Sequence, residues 1–368
     1  MSVEEIRKGV WAVRWREGGR NRKRVVGRKR DAEAYDAEVK RRKRLGELGI
    51  VDASRETLAD FVEDWWRLYA RPNLEQSTLD WYAWLWDTHI VERLGDYRLL
   101  ELTPELLERW RSDLARAGVG PAIAAKALVL LQGVLQRAVE WGRLPQNPAR
   151  LVRRPRQVDR PAIEPLGPGA IEAIRSWLIA RRRVEDATLV SLLAYAGLRP
   201  GEALGLTWGR VRERTLLIEQ TASAGGLKPS TKTRVKRSVK LLGPLAADLA
   251  EFRLASGRPP DGTLIFPKRH GQAWCKGDLN NWRRRWLSKG AEAVNVTCTP
   301  YTLRHSFASL LIWEGHSITY VAAQLGHSPA MTLRTYAHVI DELEGADRVP
   351  AEVAIRRARD ALARRAAV

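Results

Sequence analysis

From Thr57 to Trp141 the apolar side chains recur at helical spacing without strand-like alternation, so this stretch must fold as a set of amphipathic helices. Thr57 can cap the first, which carries Leu58, Phe61, Val62 and Trp65. A second runs from Ser77 through Leu79, Tyr82 and Trp86. Thr103-Pro104-Glu105 opens a third, with threonine at the N-cap, proline at the first helical position, and Leu106, Leu107 and Trp110 following. In the fourth, Pro121 to Trp141, the residues Ala124, Leu128, Leu131 and Leu135 share one face. The chain's 15 tryptophans fit such cores better than exposed stacking platforms.

The flanks follow other periods. In the head, Trp11, Val13 and Trp15 alternate with Ala12, Arg14 and Arg16, the period-two pattern of a half-buried strand. Glu17-Gly18-Gly19-Arg20 turns the chain, and a return strand runs through Arg22, Arg24 and Val26. From Asp31 the spacing is helical again, with Ala32, Tyr35 and Val39. Residues 1–50 are therefore expected to form a three-stranded sheet plus a helix. Residues 142–165 hold five prolines and six arginines and no apolar period. A helical domain over 57–150 followed by a basic, proline-stiffened linker over 151–165 is the natural division. Over 166–345, helices at 166–183, 186–196, 244–254, 278–289, 302–314, 317–325 and 329–340 are interrupted by short strands at 215–219, 226–231 and 237–241. The fold class is mostly α with small β elements, ending in a mixed α+β domain and a helical tail over 346–368.

Lysine and arginine together number 63 against 43 acidic residues, a net charge of +20. The head carries +9 over residues 1–45, the helical stretch −4 over 46–150, and the remainder +15. Such an excess is favourable beside a polyanion, and nucleic acid is the general one. Alternate arginines in the head, Arg14, Arg16, Arg22 and Arg24, suit a sheet that enters a DNA major groove, and Arg153, Arg154 and Arg156 suit a linker lying along phosphates. Cys275 and Cys298 are too few for a disulfide framework or a four-ligand zinc site, and they fit a reducing compartment. No apolar run approaches the roughly 18 residues of a membrane span, and Met1 is soon followed by acidic residues rather than a signal peptide. A cytoplasmic, nucleoid-associated protein is expected. No GxxxxGK[ST] loop or carboxylate cluster for Mg²⁺ is present, so neither cofactor nor metal is implied.

Three segments carry chemistry. In AYAGLRPGEALGLTW, residues 194–208, Gly197 ends one helix and Pro200 opens the next, so Arg199 stands at a junction where a guanidinium and free backbone N–H groups can meet a phosphate. Glu202 is close enough to orient it. In TPYTLRHSFASLL, residues 299–311, Tyr301 and Arg304 are expected to flank a cleft on one helical face, with His305 about 100° away. In LGHSPAMTLRTYAH, residues 325–338, Gly326 stops a helix and Ser328-Pro329 starts another, leaving His327 in the turn and Tyr336 about two turns on. A lone histidine in a turn or a lone surface arginine is ordinary. Two arginines, a histidine and a tyrosine at capped, non-core positions are not.

Together these segments resemble the catalytic domain of the tyrosine recombinases, the phage integrase family, over residues 166 to about 342. The resemblance implies clamp arginines at Arg199 and Arg304, a second-box histidine at His327, the nucleophile at Tyr336, and a β-hairpin lysine at Lys232 within STKTRVKRSVKL. Tyr301 departs from the pattern, because the family usually has histidine three residues before the second arginine. A phenol donates a hydrogen bond to phosphate but is a poor proton acceptor near neutral pH. Tyr301 and Glu202 are thus candidate pocket residues. Upstream, the chain is similar to lambda-type integrases, with an arm-site-binding head and a SAM-like core-binding domain.

The implied activity is cleavage and rejoining of double-stranded DNA at attachment sites through a 3′-phosphotyrosine, integrating or excising a mobile element without a cofactor. Arg199 and Arg304 would neutralise the phosphorane, and Lys232 would protonate the leaving 5′ oxygen. His327 would hold a phosphate oxygen or assist the tyrosine proton. Two alternatives stay open: a type IB topoisomerase-like activity, and a non-catalytic DNA-binding regulator descended from an integrase. The implied assembly is a homotetramer on DNA, weakly associated without it, with accessory DNA-bending proteins as further partners. In the tail, Ala351, Ile355, Ala358 and Leu362 form one apolar stripe. It either folds back on its own domain or docks on a neighbouring protomer, as the cyclic tail exchange implied by the resemblance requires.

Overall fold

Three strands, β1 (Ser2–Arg7), β2 (Val10–Glu17) and β3 (Arg20–Gly27), form an antiparallel meander in that order, covered by α1 (Lys29–Arg44). This is seen in a computed structural model that describes residues 2–17, 20–44, 56–156, 164–223, 226–229, 236–342 and 348–366. Val13 and Trp15 pack on Ala32 and Val39, as the alternation predicts. The register pairs Trp15 with Arg22, Val13 with Arg24, Arg14 with Lys23, and Arg16 with Asn21. Cross-strand partners share a face. Of the head arginines expected to meet DNA, Arg14 belongs to the open face with Lys23 and Arg24 to the face under the helix. The Arg24 guanidinium stacks 4.8 Å from the Tyr35 ring centroid and donates to its hydroxyl at 3.1 Å. The side chains of Arg16 and Arg22, and Gly18-Gly19 of the expected turn, lie outside the described residues.

The helical module starts where expected. Thr57 Oγ1 accepts from the Asp60 N–H at 3.1 Å while the Asp60 carboxylate accepts from the Thr57 N–H at 3.2 Å, a reciprocal cap that contributes about 1 kcal/mol. α2 (Leu58–Trp65) continues through a π turn at Trp66–Ala70, and α3 (Gln76–Leu85) through another at Trp86–Ile90. α4 (Pro104–Arg116) is capped by Thr103, whose side chain accepts from the Leu106 N–H at 3.2 Å. α5 (Pro121–Glu140) corrects one expectation: at 20 residues and mean hydropathy 1.4 it is long and apolar enough to span a membrane by length and composition. It is instead a core helix, with Ala124, Leu128, Leu131, Leu135 and Ala138 buried in the bundle. The same core takes in Leu144, Ala149 and Val152. The Asn147 amide donates to the Gln132 carbonyl and the Gln132 amide to the Ala149 carbonyl, both at 2.9 Å, which satisfies the turn's backbone. The helical module thus runs to Val152, past the expected boundary at 150.

The chain divides into two compact units, Met1–Arg160 and Pro161–Val368. In the second, α6 (Pro168–Ile179) precedes α7 (Val184–Ala196), every residue of which from Asp186 onward is buried. A helix apolar on nearly all sides takes the centre of its domain, here packed by neighbours on several faces. α8 (Pro200–Leu204) follows at once. β4 (Thr215–Ile218) pairs with β7 (Arg237–Lys240), and the unanticipated β5 (Gln220–Ser223) pairs with β6 (Gly226–Pro229). Then come α9 (Gly243–Ala255), α10 (Lys276–Trp282), α11 (Pro300–Trp313), α12 (Ile318–Leu325), α13 (Pro329–Glu342) and α14 (Ala351–Ala366).

Of the two placements open to the tail, the structure has α14 on its own domain. Ala351 and Ile355 are buried against the catalytic-domain core. Arg359 reaches Asp248 at 2.7 Å and Glu172 at 3.2 Å, and Glu352 accepts from the Gly243 N–H at 3.0 Å.

Candidate active site

Two left-handed glycines shape the site. Gly197 (φ 58°) ends α7, and a Cβ there would lie 2.3 Å from Phe307 Cδ1. Gly326 (φ 66°) ends α12, with its Cβ position 3.2 Å from an Arg237 guanidinium nitrogen. Only glycine adopts this backbone at no steric cost. The two turns expose carbonyls to one buried guanidinium: Arg304, 1% exposed, donates to the Gly197 and Leu325 oxygens and, at 2.9 Å, to His327 Nε2. Arg304 was expected on a cleft rim. It can be buried because these carbonyls accept hydrogen bonds from its N–H groups.

Arg199 occupies the N-cap of α8 and is held by Glu202, which accepts from its backbone N–H and from Nη1, both at 2.9 Å. Its Nη2 donates to the Gly326 oxygen at 2.9 Å, and 35% of the side chain stays exposed. Glu202 is 2% exposed and also accepts two hydrogen bonds from Arg237, at 2.7 and 2.8 Å. Burial alone would raise its pKa, but the Arg237 and Arg199 contacts outweigh burial and bring it down to about 2. It is a fixed anion among three guanidiniums. Burial, then the Arg199 charge, lowers Arg304 to about 10, still cationic at neutral pH.

His327 is pushed down to about 4 by burial and then by Arg304 and Arg199, so its imidazole is neutral. Because Nε2 accepts from Arg304, the remaining proton belongs on Nδ1, and that nitrogen is buried with no partner among the described residues. An orphaned buried N–H costs about 1–3 kcal/mol unless a ligand oxygen meets it. Tyr336, on α13, is 1% exposed rather than projecting from a non-core position: its ring joins the core while its hydroxyl lies 2.6 Å from His305 Nδ1. Burial raises its pKa.

Arg199, Glu202, Arg304, His327 and Tyr336 are therefore brought together. Tyr301 is not: it is 55% exposed and, among the described residues, makes no hydrogen bond. Lys232 lies outside the described residues, between β6 and β7. Arg153, Arg154 and Arg156 are exposed. Two residues escaped the sequence reading as site members, His305 and Arg237. Arg237 had a signal, since it alternates with Val239 onto the inward face of its strand. His305 had only its place next to Arg304.

A model of the phage integrase family matches residues 169–342, and one of the phage integrase N-terminal SAM-like domain matches 57–115. The tyrosine recombinase XerC of Methylobacterium sp. (strain 4-46) is 30% identical over 261 residues, covering 66% of this chain and 74% of that protein. The chain is a tyrosine recombinase of the phage integrase family. XerD of Pseudomonas aeruginosa is 29% identical over 238 residues, 62% of the recombinase and 74% of XerD. Among solved structures, the Tn1549 transposon integrase in complex with a circular intermediate DNA has the same fold, with TM-score 0.66 at 19% identity over 77% of this chain and 96% of that one. So does a lambda integrase tetramer bound to a Holliday junction, with TM-score 0.60 at 16% identity over 88% and 92%. The chain is a site-specific DNA recombinase, as the tyrosine recombinases of its family are.

Proposed function

We propose that Tyr336 attacks a DNA phosphodiester held by Arg199, Arg304 and His327, forming a 3′-phosphotyrosine and releasing a 5′-hydroxyl. The observation that carries this reading is the convergence of two guanidiniums, a neutral imidazole with an unused N–H, and a tyrosine hydroxyl from four separate segments. Arg199 is the more exposed clamp and meets the incoming phosphate first. Arg304, tied to two carbonyls, supplies a fixed positive field that needs no rearrangement as charge builds on the phosphorane. The His327 Nδ1–H donates to a non-bridging oxygen. Lys232 is assigned by the family resemblance as the acid for the 5′ oxygen. One phosphoester replaces another, so resealing to a different strand needs no nucleotide.

The head's open face, with Arg14 and Lys23, binds arm-type sites, and Arg153, Arg154 and Arg156 follow core-site phosphates. Four copies assemble on two duplexes in the cytoplasm, with DNA-bending partners where the arms must reach the core. The test is a nicked duplex from the DNA flanking the gene, run on a denaturing gel. Wild type gives a covalent adduct and Tyr336→Phe gives none while still shifting the duplex. Relaxation of a supercoiled plasmid without strand exchange would point to topoisomerase action instead, and binding without adduct to a regulator.

A further inference from the structure

The attack frees a proton from Tyr336, and its destination follows from the lone pairs around the hydroxyl. Arg304 has none to offer. The Nε2 lone pair of His327 is occupied by an Arg304 N–H, so its other nitrogen carries hydrogen and can only donate. The Glu202 oxygens are occupied by Arg199 and Arg237. His305 Nδ1 lies 2.6 Å from the Tyr336 hydroxyl, and with the ring proton on Nε2 it offers the one basic lone pair that reaches it among the described residues.

We propose that His305 is the proton acceptor for Tyr336 in strand cleavage and returns that proton in resealing. The proposal rests on Tyr336 being the nucleophile. As the Tyr336 oxygen bonds to phosphorus, its O–H bond breaks and the proton passes to Nδ1, giving an imidazolium. The bond from phosphorus to the 5′ oxygen breaks, and that oxygen leaves as a hydroxyl with a proton from a separate general acid. Resealing runs the same path backwards: the 5′-hydroxyl attacks, and the imidazolium protonates the departing phenolate. The ring is suited to both directions. The Tyr336 hydroxyl and the imidazole meet across the gap between α11 and α13, with ring centroids 5.6 Å apart and the ring planes tilted by 55°. Arg304 beside it on α11, His327 in the turn after α12 and Tyr336 on α13 are the charged and titratable groups that face it. Burial and then the Arg304 charge lower its pKa, which keeps it an unprotonated acceptor at neutral pH.

The experiment measures single-turnover adduct formation on the nicked duplex, with DNA binding followed by gel shift. His305→Asn keeps a hydrogen-bond acceptor near the Nδ1 position but cannot take a proton. It is expected to bind DNA normally and to form adduct about 100-fold more slowly at pH 7. The decline of the wild-type rate at acidic pH, where the imidazole is protonated, is expected to vanish in the variant. His305→Gly with imidazole added to the buffer gives an independent reading: a rate that climbs with free-base imidazole supports the proposal, and no rescue overturns it. A His305→Asn rate within threefold of wild type, or above it, also overturns it, the latter marking the contact as a restraint on the nucleophile. Adduct from Tyr336→Phe would instead remove the nucleophile assignment itself, and this proposal with it.

Discussion

Arg237 meets Glu202 through two hydrogen bonds, 2.7 and 2.8 Å long, from a strand position whose neighbour two residues along, Val239, faces the core. Arginine side chains seldom point inward from a strand unless a carboxylate takes both nitrogens. Here that carboxylate also orients the clamp residue Arg199, so Arg237 couples the strand leaving residues 230–235 to the phosphate site.

Arg237→Ala is expected to lower the unfolding free energy by about 3 kcal/mol, because a buried anion loses its main partner. Adduct formation should fall as well, since Glu202 no longer holds Arg199 in one orientation. Urea titration and the nicked-duplex assay read the two effects separately. A variant as stable and as active as wild type would show that Arg199 needs no such support.

Tyr301→Ala should change stability by less than about 0.5 kcal/mol, as expected for an exposed side chain without partners. Tyr301→His should leave the cleavage rate within a few-fold and should not rescue His305→Asn, because among the described residues it is His305 and not Tyr301 that meets the Tyr336 hydroxyl. Recovery of adduct in the double variant would mean that α11 can turn its first residues inward when DNA is present.

The pH dependence of stability follows from His327. Its folded-state pKa of about 4 lies below the ordinary value of 6.5, so the unfolded chain binds the extra proton first. Its contribution is therefore complete above pH 6.5 and declines as pH falls from 6.5 toward 4. Urea midpoints measured at pH 7 and pH 5 should differ more for wild type than for His327→Gln. Equal differences would assign the acid sensitivity to other groups.

Much of this fold was legible because its signals are local. Thr57, Thr103, Gly197, Gly326 and Pro200 mark helix ends by their own backbone preferences, and each does so in the structure. What periodicity does not carry is the identity of partners across an interface. His305 and Tyr336 lie 31 residues apart and meet because α11 packs on α13. Arg304 reads as a surface residue until the carbonyls at Gly197 and Leu325 are seen to converge on it. Arg14 and Arg24 fall on opposite faces of the head's sheet through a cross-strand register that composition does not encode.

The tail gives the last expectation. Ile355 is fully buried against the recombinase's own core, and Arg359 completes a cluster with Asp248, Glu172 and Arg175, in which Tyr195 donates to Glu172 at 2.6 Å. Ile355→Ala should cost about 2–5 kcal/mol through lost contacts and the cavity left behind. Arg359→Ala leaves two acidic side chains sharing Arg175 alone and should cost about 2 kcal/mol, less than a fully buried pair because the arginine keeps 26% exposure. Deleting residues 346–368 should therefore lower the thermal midpoint of the whole chain, not merely impair assembly on DNA. If the truncated chain melts like wild type and still cleaves a nicked duplex but fails to pair two sites, the helix does its work on a neighbouring protomer, and its docking here is an interchangeable resting place.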